Sequence, residues 1–216
     1  MNLLHAHLIP LIASIAFILF VMMASFGKGA TRTLGFILGG ALGLAIGIGL
    51  IHGFGRLVYG HVNVNGGKLL IAITLALFLP SPLRWSRACW AWLLLALVAL
   101  PLLFWWLDLG HLHPAVHISL LWFALNNLVT VVAEDFYFRR FLQDHLKGLG
   151  TPIEVLLTGA VFGLAHLHSG HLFALVAFAA GVIYSATYRA SGDSVWAVSG
   201  VHWSVNITRA LLFGMP

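Results

Sequence analysis

Three polar clusters interrupt the most apolar stretches of this chain, and each carries groups that move or hold protons. The first is Ala133-Glu134-Asp135-Phe136-Tyr137-Phe138-Arg139-Arg140, which closes a run from Leu120 to Val132 whose apolar character is broken by Asn126 and Asn127. Asp135 and Arg139 stand four residues apart, so on a helix they share a face and can pair. Glu134 projects about 100° away from Asp135, so that pairing leaves it as the carboxylate free for chemistry. The second cluster is Phe162-Gly163-Leu164-Ala165-His166, with His168 and His171 close behind. The third is His202-Trp203-Ser204-Val205-Asn206. Phe162 with His166, and His202 with Asn206, again share helix faces. Carboxylates and imidazoles are the usual general acids and bases, and imidazole and amide donors can stabilise a developing oxyanion.

Each cluster also has an ordinary explanation. Residues 134–140 could be the interfacial end of a membrane span, and His166 a hydrogen-bonded helix-end residue. His202 and Asn206 could simply bond to a neighbouring helix, at roughly 0.6–2 kcal/mol per bond. Against this, an Asp at the centre of a membrane helix costs about 2.5–3.5 kcal/mol, and such groups normally face a cavity and find partners. The conjunction matters more than any single cluster, because all three occur in order on three separate apolar segments.

Those segments must be membrane helices. Of 216 residues, 61% are apolar and 8% charged, against roughly 25% charged in a soluble domain, and the mean hydropathy is +0.99. A soluble globule and a disordered chain are both excluded. The expected fold is all-α, a polytopic transmembrane bundle of about eight helices, with candidate spans at 8–25, 34–54, 68–79, 89–107, 116–138, 153–167, 172–188 and 195–213. The third and sixth are short for a full crossing. The whole of 1–216 reads as one membrane domain, in which 1–110 carries no motif and 115–213 carries all three. Met1–His7 lacks the basic region of a signal peptide, so the first span is read as retained. Turn chemistry separates the spans at Gly27-Lys28-Gly29, Asn63–Gly67, Pro80-Ser81-Pro82, His113-Pro114, Gly148–Pro152 and Ser191-Gly192-Asp193.

The formal charge of +5 is scattered at span ends, where it serves orientation and contact with anionic membrane lipid, and no nucleic-acid partner is expected. With the N-terminus outside, Lys28, Arg32, Arg84, Arg87, Arg139, Arg140, Lys147 and Arg189 fall on the cytoplasmic side, and Arg56, Lys68 and Arg209 outside. The short loops fit a bacterial inner membrane. Gly35, Gly39, Gly43 and Gly47 form a stripe at four-residue spacing, read as a helix-packing surface, with a substrate groove as the alternative. No repeat of two related halves points to a transporter. Cys89 is the single cysteine. Most of the twelve histidines, among them His5, His7, His111, His113 and His117, sit near span ends and read as interfacial.

The three clusters resemble the motifs of the CAAX-protease and bacteriocin-processing (Abi) family of intramembrane proteases: Glu-Glu-x-x-x-Arg, Phe-x-x-x-His and His-x-x-x-Asn. Here they stand as Glu134-Asp135 with Arg139, Phe162 with His166, and His202 with Asn206. The resemblance covers about 115–213. Two positions depart from it: Asp135 replaces the second Glu, and Arg140 stands where many members have Gly. The resemblance implies an endopeptidase that hydrolyses a peptide bond of a membrane-associated protein or peptide. It also implies a glutamate-activated water. Eukaryotic members trim prenylated CAAX proteins, and bacterial members are linked to peptide maturation and bacteriocin immunity.

On that reading Glu134, set among Phe136 and Phe138, is the general base. His166 orients the water or carries a proton. His202 and Asn206 donate to the oxyanion, and Asp135, Arg139 and Phe162 support them. No metal is favoured. A zinc-dependent version would use Glu134, His166 and His202 with a water in the fourth position. A serine mechanism fits poorly, because Ser199 lies on the same segment as His202 and the chain lacks Gly-x-Ser-Gly. The alternative from another class is a non-catalytic immunity or peptide-binding membrane protein of the same fold.

Overall fold

The computed structural model describes residues 3–48, 56–59, 62–109 and 119–213. Among these residues every expected span contains an α-helix: α1 (Leu3–Phe26), α2 (Gly29–Gly47), α3 (Gly66–Phe78), α4 (Arg87–Trp106), α5 (Ser119–Asp135), α6 (Thr151–Ala165), α7 (His171–Ala190) and α8 (Val195–Phe213). The bundle is helical as expected, and its surface is that of a membrane protein. Ile12, Leu19, Leu94, Leu102, Trp105, Trp106, Leu164 and Leu175 point outward and are exposed, an arrangement that only a lipid environment tolerates on this scale. The apolar part of α1, with α2, α4 and α7, is long and apolar enough to cross a membrane, whereas α3 and α6 are shorter apolar helices. The outer parts of two expected spans (49–54 and 116–118), the turn at His113-Pro114, and His111, His113 and His117 lie outside the described residues. So do the side chains of His5, His7 and Arg56.

Two local features differ from the sequence expectation. Arg56–Tyr59 (β1) and Val62–Asn65 (β2) pair antiparallel, Arg56 opposite Asn65 and Tyr59 opposite Val62. Only a turn was expected there. The alternating Val-Asn-Val-Asn of β2 is a strand signal, overshadowed by the Gly-rich turn that follows. Asn65 then caps α3, its side chain accepting from the Lys68 backbone N–H at 3.1 Å. The second difference is in the fifth span. It does not remain an α-helix to 138: immediately after Asp135 it widens into a π-helix, Phe136–Gln143. Such π segments are rare and concentrate at functional sites. This one begins at the motif acids.

α5 and its π continuation occupy the middle of the bundle, packed by α3 on one side and α8 on the other. α1 pairs with α2, and α6 with α7, while α4 braces α7 and α8. The glycine stripe on α2 packs as expected over most of its length. A Cβ on Gly35 would meet Met23 Cβ at 2.6 Å, and one on Gly43 would meet the Tyr137 ring at 2.6 Å and the Phe17 ring at 2.8 Å. Tyr137 donates its hydroxyl proton to the Gly40 carbonyl. Gly43 and Gly47 also line an open cleft, so the end of the stripe borders the groove that was the alternative reading.

A close approach of two helix backbones holds the second motif in place. A Cβ on Gly181 of α7 would lie 2.9 Å from Gly159 Cα and 3.1 Å from its carbonyl oxygen, both backbone atoms of α6. Gly181→Val is expected to push α6 away from α7. The cost should be about 1–3 kcal/mol, read as a lower unfolding midpoint in detergent, with displaced Phe162 and His166 lowering any activity as well.

One end of the bundle is tied by ions. Arg189 donates to Asp144 (2.9 Å), to Asp193 (2.6 Å) and to Glu154. Lys147 reaches Asp193 at 2.8 Å and Arg140 reaches Asp144 at 2.5 Å. Burial works against ionising Asp193, but hydrogen bonds and charge from Lys147 and Arg189 win and hold its carboxyl below its ordinary range. Arg140, Lys147 and Arg189 therefore gather at one end, as their common assignment to one membrane side requires. Arg139 does not join them. It is fully buried and cannot count as an orientation charge.

Candidate active site

The α-to-π switch presents the two motif acids in different directions. Asp135 is completely buried. Its Oδ1 lies 3.8 Å from Arg139 Nε, the expected pair, although too long for a hydrogen bond. Its Oδ2 lies 3.3 Å from His202 Nδ1 on α8. The supporting acid is thus shared between the first motif and the third. An imidazole held at Nδ1 by a carboxylate has its tautomer and ring orientation set, leaving Nε2 for other work. Arg139 is enclosed by rings, its guanidinium 5.2 Å from the centre of Phe162 and 5.9 Å from those of Phe138 and Tyr184.

Phe162 links the two other histidine-bearing elements. Its ring is 4.6 Å from the His166 ring and 5.8 Å from that of His202. His166 ends α6, with Nδ1 2.7 Å from the Phe162 carbonyl oxygen. A carbonyl can only accept, so Nδ1 donates, and Nε2 carries the available lone pair. Tyr184 of α7 stacks on His202 at 4.4 Å. Sequence reasoning missed this residue, which sits in an apolar helix with no motif partner on its own element.

Glu134 differs most from expectation. Phe136 and Phe138 are buried nearby, but the carboxylate is not free: Lys68 Nζ of α3 stands 2.6 Å from its Oε1. Both side chains are largely enclosed, with 17% and 16% exposure. Lys68 was expected to be an interfacial charge outside the membrane. A cue was present, because a carboxylate left unpaired on its own apolar helix requires a cation from another. Asn206 also has a partner, its Nδ2 donating to Asn127 Oδ1 of α5 at 3.1 Å. That bond is the ordinary interhelical reading of this residue, and it leaves one amide hydrogen for a second acceptor.

These groups converge on two clefts that meet at Glu134 and His166. The larger, about 210 Å³, is walled by Phe104, Phe123, Phe162, Phe173 and other apolar side chains, with Glu134, His166, His202 and Asn206 along one side. The smaller, about 150 Å³, lies on the other face of Glu134 and is bordered by Gly43, Gly47, Lys68 and His168. Among the described residues no three His, Cys, Asp or Glu side chains stand close enough to share a metal ion. The conditional zinc set Glu134, His166 and His202 is not assembled here, and a lysine ammonium already sits on Glu134. Ser199 is buried, in keeping with a small packing residue.

Residues 115–208 match the family described as type II CAAX prenyl endopeptidase, Rce1-like. The match covers this segment, a little under half of the chain. The family is a protease family, as the three motifs implied, and the Rce1-like segment contains Glu134, Asp135, Arg139, Phe162, His166, His202 and Asn206. Lys68 lies outside it, in the N-terminal half. Searches of curated proteins and of solved structures return no match.

Proposed function

We propose that this chain is an intramembrane endopeptidase that hydrolyses a peptide bond of a membrane-associated protein or peptide. The observation that carries the reading is the convergence of Glu134, His166, His202 and Asn206 from three helices on one apolar-walled cleft. Glu134 takes a proton from water and directs the hydroxide at the scissile carbonyl. His166, through Nε2, receives and returns that proton to the leaving amine. As an imidazolium, donating through Nδ1 to Asp135, His202 turns its Nε2 proton to the developing oxyanion beside the second Asn206 amide hydrogen, and each donor in a dry site contributes about 3–4 kcal/mol. Asp135 fixes the His202 ring, and Lys68 holds Glu134 in place until substrate enters. The protein is multi-pass, in a bacterial inner membrane, and works without a metal.

The test compares membranes of cells carrying the wild-type protein with membranes carrying Glu134→Ala. Membrane proteins or peptides that stay unshortened in the variant are the expected result, and processing should survive exhaustive chelation. Identical peptide profiles, with the variant still performing the cellular role, would instead support the immunity or peptide-binding reading. Processing that stops on chelation and returns with zinc would overturn the metal-free step.

A further inference from the structure

Hydrolysis of a peptide bond consumes a water, and a peptide seated in the larger cleft displaces the water that the cleft held. The attacking water must then reach Glu134 from another direction. The smaller cleft lies on the opposite face of that carboxylate. Among the described residues, Glu134 and His166 alone line both clefts. The group that takes a proton from water and the group that carries it therefore stand in the partition between the two spaces.

The polar lining of the smaller cleft suits water. It consists of Lys68, Glu134, His166 and His168, beside Tyr137, whose hydroxyl is committed to the Gly40 carbonyl. The remaining lining is glycine or apolar. The Nδ1 atoms of His166 and His168 lie 2.7 and 3.1 Å from the carbonyl oxygens of Phe162 and Ala165. Both donate there, so each ring keeps Nε2 as an acceptor. The Lys68 ammonium carries three donors, one of them given to Glu134 Oε1 at 2.6 Å. Donors and acceptors thus stand together, and an enclosed water needs two to four such partners. A volume of about 150 Å³ holds several waters. Glycine on α2 helps to leave that room: among the described residues, a Cβ on Gly47 would meet no atom within 4 Å.

We propose that the smaller cleft is a hydration site that delivers the hydrolytic water to Glu134 from the face opposite the peptide. Glu134 takes one proton of that water, and the oxygen bonds to the scissile carbonyl carbon. The C–N bond breaks as His166 returns the proton to the amine nitrogen, and the second hydrogen of the water stays on the new carboxyl group. The inference deepens the protease reading and rests on it. Gly43, Gly47 and Lys68 lie outside the Rce1-like match at 115–208, so none of the three motifs assigns the cleft this role.

The test uses the full chain in phosphatidylcholine nanodiscs, with Cys89→Ala to remove the single native thiol and Gly47→Cys to place a new one in the cleft. Hydration is probed with a quaternary-ammonium methanethiosulfonate, which reacts with thiolate in water and stays out of lipid. The reference is Leu94→Cys in the same background, on the exposed surface of α4. The thiol at position 47 should react roughly 100-fold faster, because a thiol in apolar surroundings rarely ionises. For turnover, the same thiol is capped with a neutral benzylthio group, which fills the cleft and adds no charge beside Glu134. The substrate is the polypeptide that accumulates most in Glu134→Ala membranes, and the uncapped variant is the reference rate. The benzyl cap should lower kcat by about 10²-fold or more, the contribution of a general base left without its water, with KM little changed. Dithiothreitol should restore the rate, and a methylthio cap, too small to close the cleft, should retain most of it. Labelling no faster than at position 94, full turnover under the benzyl cap, or equal losses with both caps would overturn the proposal. So would a raised KM at constant kcat, which would make the cleft a substrate subsite. Failure of the protease reading is distinguishable: fast labelling in a protein whose membranes show no Glu134-dependent shortening leaves a hydrated cleft with no hydrolysis to serve, and the delivery role falls with that reading.

Discussion

Glu134→Gln should reduce peptide hydrolysis by about 10²–10⁴-fold, the usual contribution of a positioned general base, while leaving the bundle assembled. Glutamine keeps the length and shape of the side chain, and its carbonyl oxygen can still accept from Lys68, which now donates at 2.6 Å. What is lost is the ability to take a proton from water. The unfolding midpoint in detergent should therefore move little, and the rate should collapse. Both must be measured on the same preparation, because loss of fold would mimic loss of chemistry. Turnover near the wild-type value would remove Glu134 from the mechanism. It would also redirect attention to His166, the other group common to both clefts.

Arg139→Met should have the largest effect on stability. Arg139 and Asp135 are both fully buried, and deleting one member of such a pair leaves an uncompensated charge, at a cost of about 3–5 kcal/mol. The rings of Phe138, Phe162 and Tyr184 lose their cation at the same time. Adding Asp135→Asn removes the stranded charge, so the double variant should recover much of the lost unfolding free energy. Activity should not return with it. An asparagine facing His202 Nδ1 no longer fixes the ring as a carboxylate does, and the third motif loses its orientation. Equal stability of the single and double variants would show that the pair is not coupled. Recovery of both stability and turnover would show that Asp135 serves Arg139 alone.

Much of this arrangement was legible in the residues, for a specific reason. In a chain with six acids, an apolar segment bearing two of them marks itself. Four-residue spacing then tells which side chains share a face. Apolar runs located the eight α-helices of the described residues, and the spacing logic gave the Asp135–Arg139 pair and the histidine-bearing faces. It works within one helix, and it stops where contacts cross between helices. The Lys68–Glu134 pair, the Asp135–His202 bridge, the Asn127–Asn206 bond and the Tyr184 stack are all of that kind. No periodicity in one segment encodes the side chain of another. The π segment was hidden for a different reason: widening the helix depends on how Phe136–Gln143 pack, and composition does not reveal it. Lys68 was missed as the partner of Glu134 through the assumption that a basic residue near a span end points outward to headgroups.

The Lys68 ammonium reaches Glu134 from a helix that the family match does not include. The boundary at residue 115 is thus a boundary of sequence kinship and not of the working unit. A fragment cut there would keep every motif residue and lose the counter-ion of its principal carboxylate, together with the α2 wall of the smaller cleft. Transplanting the matched segment onto another set of leading helices would meet the same difficulty, unless the new helices supplied a cation at the same depth. The N-terminal half of this protein accordingly supplies the ion-pair partner of a motif carboxylate in the C-terminal half, and under the proposed function the two halves are expected to be exchangeable only together.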